Sequence, residues 1–470
     1  MSSLVLYAND IRIKDHQALT NALKHNANTH ACFIFFEPSF KKYGGRRNQF
    51  FMDSLQLLEK NLAHLGIPFH ILEARNTKEA EQAFEQLLKN KKISSLFFHE
   101  PIDDDDKKLF KTLIKNREHE SFIDQTLFRP GQVLNNSHEP FKVFTPFCRK
   151  FSELLAHNKN LLHHLNAPKK NISRHAKDIR PPSWLELQSY DKAMFPPGEK
   201  TGLERLKNFI SHDINNYAQL RDYFGEHQTS RLSPYLCVGL LSQRMVLSEL
   251  FTTHPRLLHS AHSGAHIFFT EIVWREFYRH LWNFFPDFSQ GEPFRKESKN
   301  IQWRHSSKDL LAWQQGTTGI PIVDAAMRAF NQTGFMHNRL RMITASFLSK
   351  NLLIDWHEGE RYFMRNLIDA DVPSNNGGWQ WSASVGVDPQ PYFRIFNPVL
   401  QSQRYDPSGN FIRKFVPELS QLEDKSIHAP FSKMSDAQLQ QLNYCVPICD
   451  LSSSRAIAIE AFKSAFKKLN

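Results

Sequence analysis

Cysteine is scarce in this 470-residue chain, with five residues in all, too few for a disulfide scaffold. Only Cys445 and Cys449 stand close together, and no second pair completes a metal framework, so no metal site is expected. No uninterrupted apolar run approaches the roughly 18 residues of a membrane span, and mean hydropathy is -0.48. Met1–Tyr7 has no basic region ahead of its short apolar stretch, which argues against a secretory leader. A reduced, cytoplasmic compartment fits these absences. No G-x-G-x-x-G follows the first strand-like run and no P-loop occurs, so nucleotide binding by the first domain is unsupported. There is no internal repeat. Tryptophan is missing from the first 180 residues: Trp184, Trp274, Trp282, Trp303, Trp313, Trp356, Trp379 and Trp381 all fall later.

Two quantities are high. Lys plus Arg number 59 against 48 Asp plus Glu, a net charge of +11 and a pI near 9.3. Such a balance suits a polyanionic partner, most often nucleic acid, or a generally basic enzyme. Aromatic residues make up 12%, with 39 Phe, inside an otherwise ordinary globular composition of 41% hydrophobic and 23% charged residues.

Residues 1–130 alternate strand and helix signals. Leu4–Tyr7, Cys32–Phe36, Phe69–Leu72 and Ile93–Phe98 are apolar runs of buried-strand length. Phe51, Met52, Leu55, Leu58, Leu62 and Leu65 recur at helical spacing, and Gly66 stops that helix. Asn76 and Glu79 resemble a capping box. Asp103–Asp106 read as a solvated helix start. The alternation predicts an α/β domain with a parallel, doubly wound, Rossmann-like sheet. Residues 131–200 read as an inter-domain linker. From about Asn158 it is punctuated by Pro168, Pro181, Pro182, Pro196 and Pro197 and made basic by Lys159, Lys169, Lys170, Arg174, Lys177 and Arg180. Residues 201–470 read as all-α. Leu203, Leu206, Phe209 and Ile210 share a face, and further helices are predicted near 245–253, 266–284, 319–332, 338–351 and 358–367.

Four motifs carry chemistry. On a helix, Glu271, Trp274, Arg275 and Tyr278 share a face, which makes either a surface ion pair beside a core indole or a site. In Met336–Met342, Asn338 can donate and accept hydrogen bonds, and Arg339 and Arg341 can grip phosphates. The alternative is a basic exposed face. Asp369-Ala370-Asp371 precede Asn375-Asn376-Gly377-Gly378-Trp379-Gln380-Trp381, a turn carrying two tryptophans or a site for close backbone approach. Thr229-Ser230-Arg231-Leu232-Ser233 combines hydroxyls, a guanidinium and backbone N–H groups at a helix start, suiting an anion or an ordinary cap.

In this order and company, with Thr-Gly-Ile-Pro-Ile-Val-Asp-Ala-Ala-Met-Arg from Thr318, the motifs resemble the photolyase/cryptochrome family, and most resemble bacterial class I cyclobutane pyrimidine dimer photolyases. The resemblance spans nearly the whole chain and is most specific between Tyr217 and Pro398. It implies a helical FAD-binding domain, with reduced FADH⁻ as the active form, and light-driven electron transfer to a pyrimidine dimer flipped out of DNA. The runner-up is a blue-light signalling flavoprotein without repair, and a third reading is a basic nucleic-acid-binding protein without catalysis.

Carried over, the resemblance implies an FAD pocket of Tyr217, Thr229, Ser230, Arg231, Leu232, Ser233, Arg275, Asn338, Arg341, Asp369, Ala370, Asp371 and Asn375, with Asn375 facing the flavin N5. It implies a lesion pocket of Glu271, Trp274, Asn338, Met342 and Trp381 beside Arg275 and Tyr278. Arg221, Arg339 and Arg394 would line the DNA face. Trp379, Trp356 and Trp303 would form an electron-hopping chain. Phe335 stands where the group commonly has Trp. The loop Glu37–Gln49 lacks the His of folate-binding members, and Ser289-Gln290 and Asp105-Asp106 replace their Cys-Lys and Asn-Glu pairs, so no folate antenna is expected and the identity of any second chromophore stays open. The resemblance further implies a monomer acting on dimer-containing DNA, with no membrane partner.

Overall fold

The computed structural model describes residues 2–168, 174–225 and 229–467. Five strands, β1 (Ser2–Tyr7), β2 (Thr29–Phe36), β3 (Phe69–Ala74), β4 (Ile93–His99) and β5 (Glu118–Phe122), form one sheet in the order β3-β2-β1-β4-β5, every pair parallel. β1 and β2 are buried at every position, as continuous apolar strands wrapped on both faces must be. Helices Gln17–His25, Gly45–His64, Thr77–Lys91 and Asp104–Leu113 supply the wrapping. Gly66, at φ 68°, ends the chain's exit from Gly45–His64 as expected. Asn76 caps Thr77–Lys91 by accepting from the Glu79 N–H at 3.0 Å. The Glu79 carboxylate reaches back to the Arg75 N–H at 2.8 Å, one residue before the position of a standard capping box.

The strand order reverses between β1 and β4, the point where open α/β sheets take ligands. Here buried polar groups answer one another. Asp10 bonds His99 Nδ1 at 2.7 Å and lies 3.0 Å from His16 Nε2. His16 Nδ1 accepts from the Leu19 N–H at 3.0 Å, capping the first helix. Burial, helped by the neighbouring His99, pushes the His16 imidazolium down to about 4, so the ring is neutral at pH 7. Arg12 pairs with Asp124 and donates to the Gly239 carbonyl at 3.0 Å, tying this end of the sheet to the helical half.

The acidic start of Asp104–Leu113 departs from its solvated reading. Lys42 Nζ bonds Asp103 and Asp105, each at 2.7 Å. Half-buried Asp106 accepts from Ser39 Oγ, and desolvation together with Asp103 pushes its carboxyl up to about 7.

The 131–200 segment contains a helix, Phe144–His157, that sequence reading did not mark; it buries Phe147, Phe151 and Leu155. Residues 174–198 form no helix or strand, yet they are strapped along Gly45–His64. Buried Glu59 receives both Arg174 terminal nitrogens, at 2.9 and 2.6 Å, and the Lys177 N–H at 2.8 Å. Gln56 receives the Ile179 N–H at 2.7 Å. Side chains thus satisfy a backbone that has no ladder of its own. Lys169 and Lys170 lie outside the described residues.

The helical half contains Glu199–Asn208, Ile214–Leu220, Gln243–Thr253, Gly264–Phe284, Pro321–Thr333, Asn338–Ser346 (continued by a wide turn through Phe347–Asn351), Trp356–Asn366, Val372–Ser382 and Leu451–Lys467. The Asn375–Trp381 motif is therefore helical, not a turn. Its glycine serves close helix approach: a Cβ on Gly377 would lie 2.2 Å from the Tyr278 ring. The two halves meet at Glu276, which accepts from the Leu127 and Phe128 N–H groups and from Gln243 at 2.6 Å. Burial pushes its carboxyl up to about 7 even so.

Candidate functional site

The helical half encloses a cavity of about 520 Å³. Gly264–Phe284 contributes Glu271, Trp274, Arg275 and Tyr278, the face that the three- and four-residue spacing requires. Asn338–Ser346 contributes Asn338, Arg339, Arg341 and Met342. Tyr217, Arg221 and the run Thr229–Ser233 also line it, as do Asp369, Asp371, Asn375, Trp379 and Trp381. Phe335 also lines it, so the apolar wall expected there is kept. Four expected residues lie elsewhere. Ala370 is fully buried, its carbonyl accepting from Arg47 Nε at 3.0 Å. Trp356, Trp303 and Arg394 are not part of the cavity wall.

The charges are arranged unevenly. Arg341 bonds both Asp369 oxygens, at 3.0 and 2.8 Å. Arg221 meets Glu271 at 2.7 Å, and Arg339 meets Asp222 at 2.6 Å. Asp371 caps Val372–Ser382 through the Ser374 N–H and takes Arg279 at 2.5 Å. Burial alone would raise its carboxyl, but Arg279 and Arg275 hold it at about 2. Arg275 differs: its partners are the neutral oxygens of Gln125, Gln243 and Leu236, at 3.0 to 3.1 Å. Burial and the adjacent Arg279 push it down to about 9, still a cation at neutral pH and without an ion-paired carboxylate among the described residues. Asn375 donates Nδ2 to the Glu360 carbonyl at 3.1 Å and to its carboxylate at 3.2 Å, leaving Oδ1 as its acceptor for the cavity.

Trp274 stacks on Phe144, with ring centroids 3.7 Å apart and planes 6° from parallel. Trp379 is 2% exposed and reaches the cavity wall; Trp356 is 1% exposed and opens Trp356–Asn366; Trp303 is half-buried, edge-on to Phe462 at 6.0 Å. Trp379 also contacts Phe363 and Trp313, at 5.0 and 6.1 Å.

Sequence reading missed Arg279, Asp222, Glu360, His337 and Phe144. Arg279 stands four residues after Arg275 on the same helix, so helical spacing could have found it. Nothing local in the sequence points Phe144 at Trp274.

At the β1/β4 switch point the crevice is nearly filled, leaving cavities of about 30 and 20 Å³. The Arg47 guanidinium sits 3.5 Å over the Tyr43 ring there.

Residues 3–169 match the DNA photolyase family model, and residues 268–464 match the FAD binding domain of DNA photolyase. The deoxyribodipyrimidine photo-lyase of Escherichia coli K12 is 37% identical over 99% of both chains, and that of Vibrio cholerae is 34% identical over 98% of this chain and 99% of its own. Among solved structures, a class III photolyase from Agrobacterium tumefaciens superposes with a TM-score of 0.87 at 31% identity, covering 99% of this chain and 98% of that one. A Synechocystis cryptochrome gives 0.86 at 28% identity, covering 98% and 99%. By family models that span most of its length and by relatives that match it end to end, the chain belongs to the DNA photolyase family.

Proposed function

We propose that this protein is a light-driven lyase that splits cyclobutane pyrimidine dimers in DNA, using FAD held in the helical-domain cavity. The observation that carries the reading is that one cavity gathers the expected lesion set and every member of the expected flavin set except Ala370. The residues fit the cofactor: Arg275 offers an anionic group a cation with no ion-paired carboxylate among the described residues, and the Thr229–Ser233 run offers hydroxyls and backbone N–H groups to phosphates. Arg341 and Asp369 brace each other beside Asn338. Bound there in its reduced form and excited by light, FAD supplies the electron that opens the cyclobutane ring.

The chain's own residues do the rest. Asn375, its amide nitrogen fixed by Glu360, turns an acceptor oxygen to the cavity, suited to an N–H of a reduced ring. Trp274 and Trp381 give flat apolar walls to flipped bases, Trp274 backed by Phe144. Glu271 provides an anchored carboxylate for a pyrimidine edge, with Arg221 balancing its charge. Trp379, Trp356 and Trp303 serve to return an oxidised flavin to its reduced state. Arg221, Arg339 and exposed Arg394 face the DNA. The five free cysteines support a reducing, cytoplasmic compartment, and a site complete within one chain supports a monomer. Among the described residues no helix is long and apolar enough to cross a membrane.

The test is direct. Purified, FAD-loaded, reduced protein is illuminated with an oligonucleotide containing a thymine dimer, and restored thymines are counted by chromatography. Loaded protein that absorbs blue light and leaves the dimer intact would overturn the reading. It would leave the signalling one, which the likeness to the Synechocystis cryptochrome favours.

A further inference from the structure

Lys350 has no part in the site above, yet it is fully buried, in the wide turn Phe347–Asn351 that continues the Asn338–Ser346 helix. No carboxylate lies within ion-pair distance of it among the described residues. Burial pushes its ammonium down to about 7. A charge-bearing group without a counter-ion is expensive to bury, and an apolar residue would serve packing better. What Lys350 obtains is two hydrogen bonds: Nζ donates to Ser384 Oγ at 2.8 Å and to the Arg394 carbonyl at 3.2 Å.

Those two acceptors bracket one loop. Ser384 lies two residues beyond the end of Val372–Ser382, the helix of Asn375, Trp379 and Trp381. Residues 385–397 then form no helix or strand before Pro398–Tyr405. Ser384 and Asp388 hold φ values of 63° and 44°, which a non-glycine residue adopts only when its surroundings impose them. Further ties hold the loop: Gln390 Nε2 also donates to the Arg394 carbonyl, Asp388 accepts from the Phe144 N–H at 3.0 Å, the Val385 carbonyl accepts from the Arg295 N–H at 2.9 Å, and Tyr392 stacks on Phe462. The Asp388 tie leads to the ring stacked on Trp274. At its far end the loop presents Phe393, 53% exposed, next to exposed Arg394.

We propose that Lys350 is a positioning residue that pins the loop 385–397 beside the Trp274 wall, so that Phe393 and Arg394 are set for contact with DNA around the lesion. The role in DNA contact rests on the lesion-site reading; the pinning itself does not. A side chain buried under the loop thereby controls an affinity measured at its exposed tip.

The experiment uses full-length, FAD-loaded Lys350→Met, which keeps most of the apolar stem and removes the donor. Two measurements separate the claims. Trypsin cleavage after Arg394, followed without DNA, reads the loop alone; equilibrium binding of a dimer-containing duplex reads its use. Loss of charge-assisted bonds of this kind predicts about tenfold faster cleavage after Arg394 and about tenfold weaker binding. Repair per bound dimer at saturation and flavin content should stay unchanged. Wild-type cleavage and affinity in the loaded variant would overturn the proposal, as would uniform acceleration at every tryptic site with loss of flavin. Should Lys350→Met fail to fold, Ser384→Ala decides, because it removes one acceptor at an unaltered backbone: faster cleavage after Arg394 supports the pin, and no change sinks it. A wild-type protein that does not bind dimer-containing DNA would remove the lesion-site reading while leaving the proteolysis result to judge the pin.

Discussion

The molecule has two places where folds of its kind take ligands, and they are finished in opposite ways. At the carboxyl ends of β1 and β4 the crevice is closed: Arg12 has Asp124, Asp10 has two imidazoles, Arg47 has an aromatic face and the Ala370 carbonyl. In the helical half the cavity stays open, and Arg275 and Asn375 Oδ1 face it without a counter-charge or donor among the described residues. The difference teaches that the ligand belongs where the protein leaves its own electrostatics incomplete.

The sharpest way to break the open side is Asp371→Ala. It removes a helix cap and strands buried Arg279, so stability should fall by about 3–5 kcal/mol, read by urea unfolding, and FAD should be lost on purification. The pH dependence has a definite sign. Asp371 is held near 2, below the unfolded value near 4, so its contribution is full above about pH 4 and disappears as pH falls toward 2. The variant should therefore lose less further stability over that window than the wild type.

Trp379→Phe should come next. It keeps an apolar ring at the cavity wall but should abolish photoreduction of oxidised FAD, while chemically reduced variant still splits dimers. Photoreduction at the wild-type rate would make this tryptophan packing only. Glu271→Ala should lower repair of saturating dimer by an effect of up to about 3 kcal/mol, with flavin retained; an unchanged quantum yield would contradict its role. A smaller effect is expected at the DNA face. Arg394→Ala should reduce the salt dependence of DNA binding by about one phosphate contact. Arg339→Ala should reduce it less, because Asp222 already engages that guanidinium. The closed side supplies the smallest effect: protein made in a folate-replete host should carry no stoichiometric folate, and a folate spectrum after denaturation would refute this.

Much of this was legible in advance for local reasons. The β1 run declares itself by continuous apolarity, and Glu271, Trp274, Arg275 and Tyr278 by helical spacing. The motifs' order then points to the family. What stayed hidden depends on contacts distant in sequence. Asn375–Trp381 is poor in helix formers, and it is helical because Asp371 caps it and Gly377 lets it dock on Tyr278. The Asp10–His99 bond joins residues 89 positions apart, and Glu59 reaches a strap more than a hundred residues away. Lys350 reads as one more basic residue in a basic helix until its surroundings are known.

One small residue sets a large quantity. A Cβ on Gly359 would lie 2.0 Å from the far edge of the Trp379 indole, so nothing but glycine lets the two helices close to their present spacing. Any larger residue must tilt the indole or push its helix outward. If Trp379 passes electrons as proposed, tunnelling rates, which fall exponentially with separation, would multiply a fraction of an ångström added there into the speed of that transfer. Position 359 acts as a gauge block: it carries no charge and touches no ligand, yet it fixes a distance to which such chemistry is steeply sensitive.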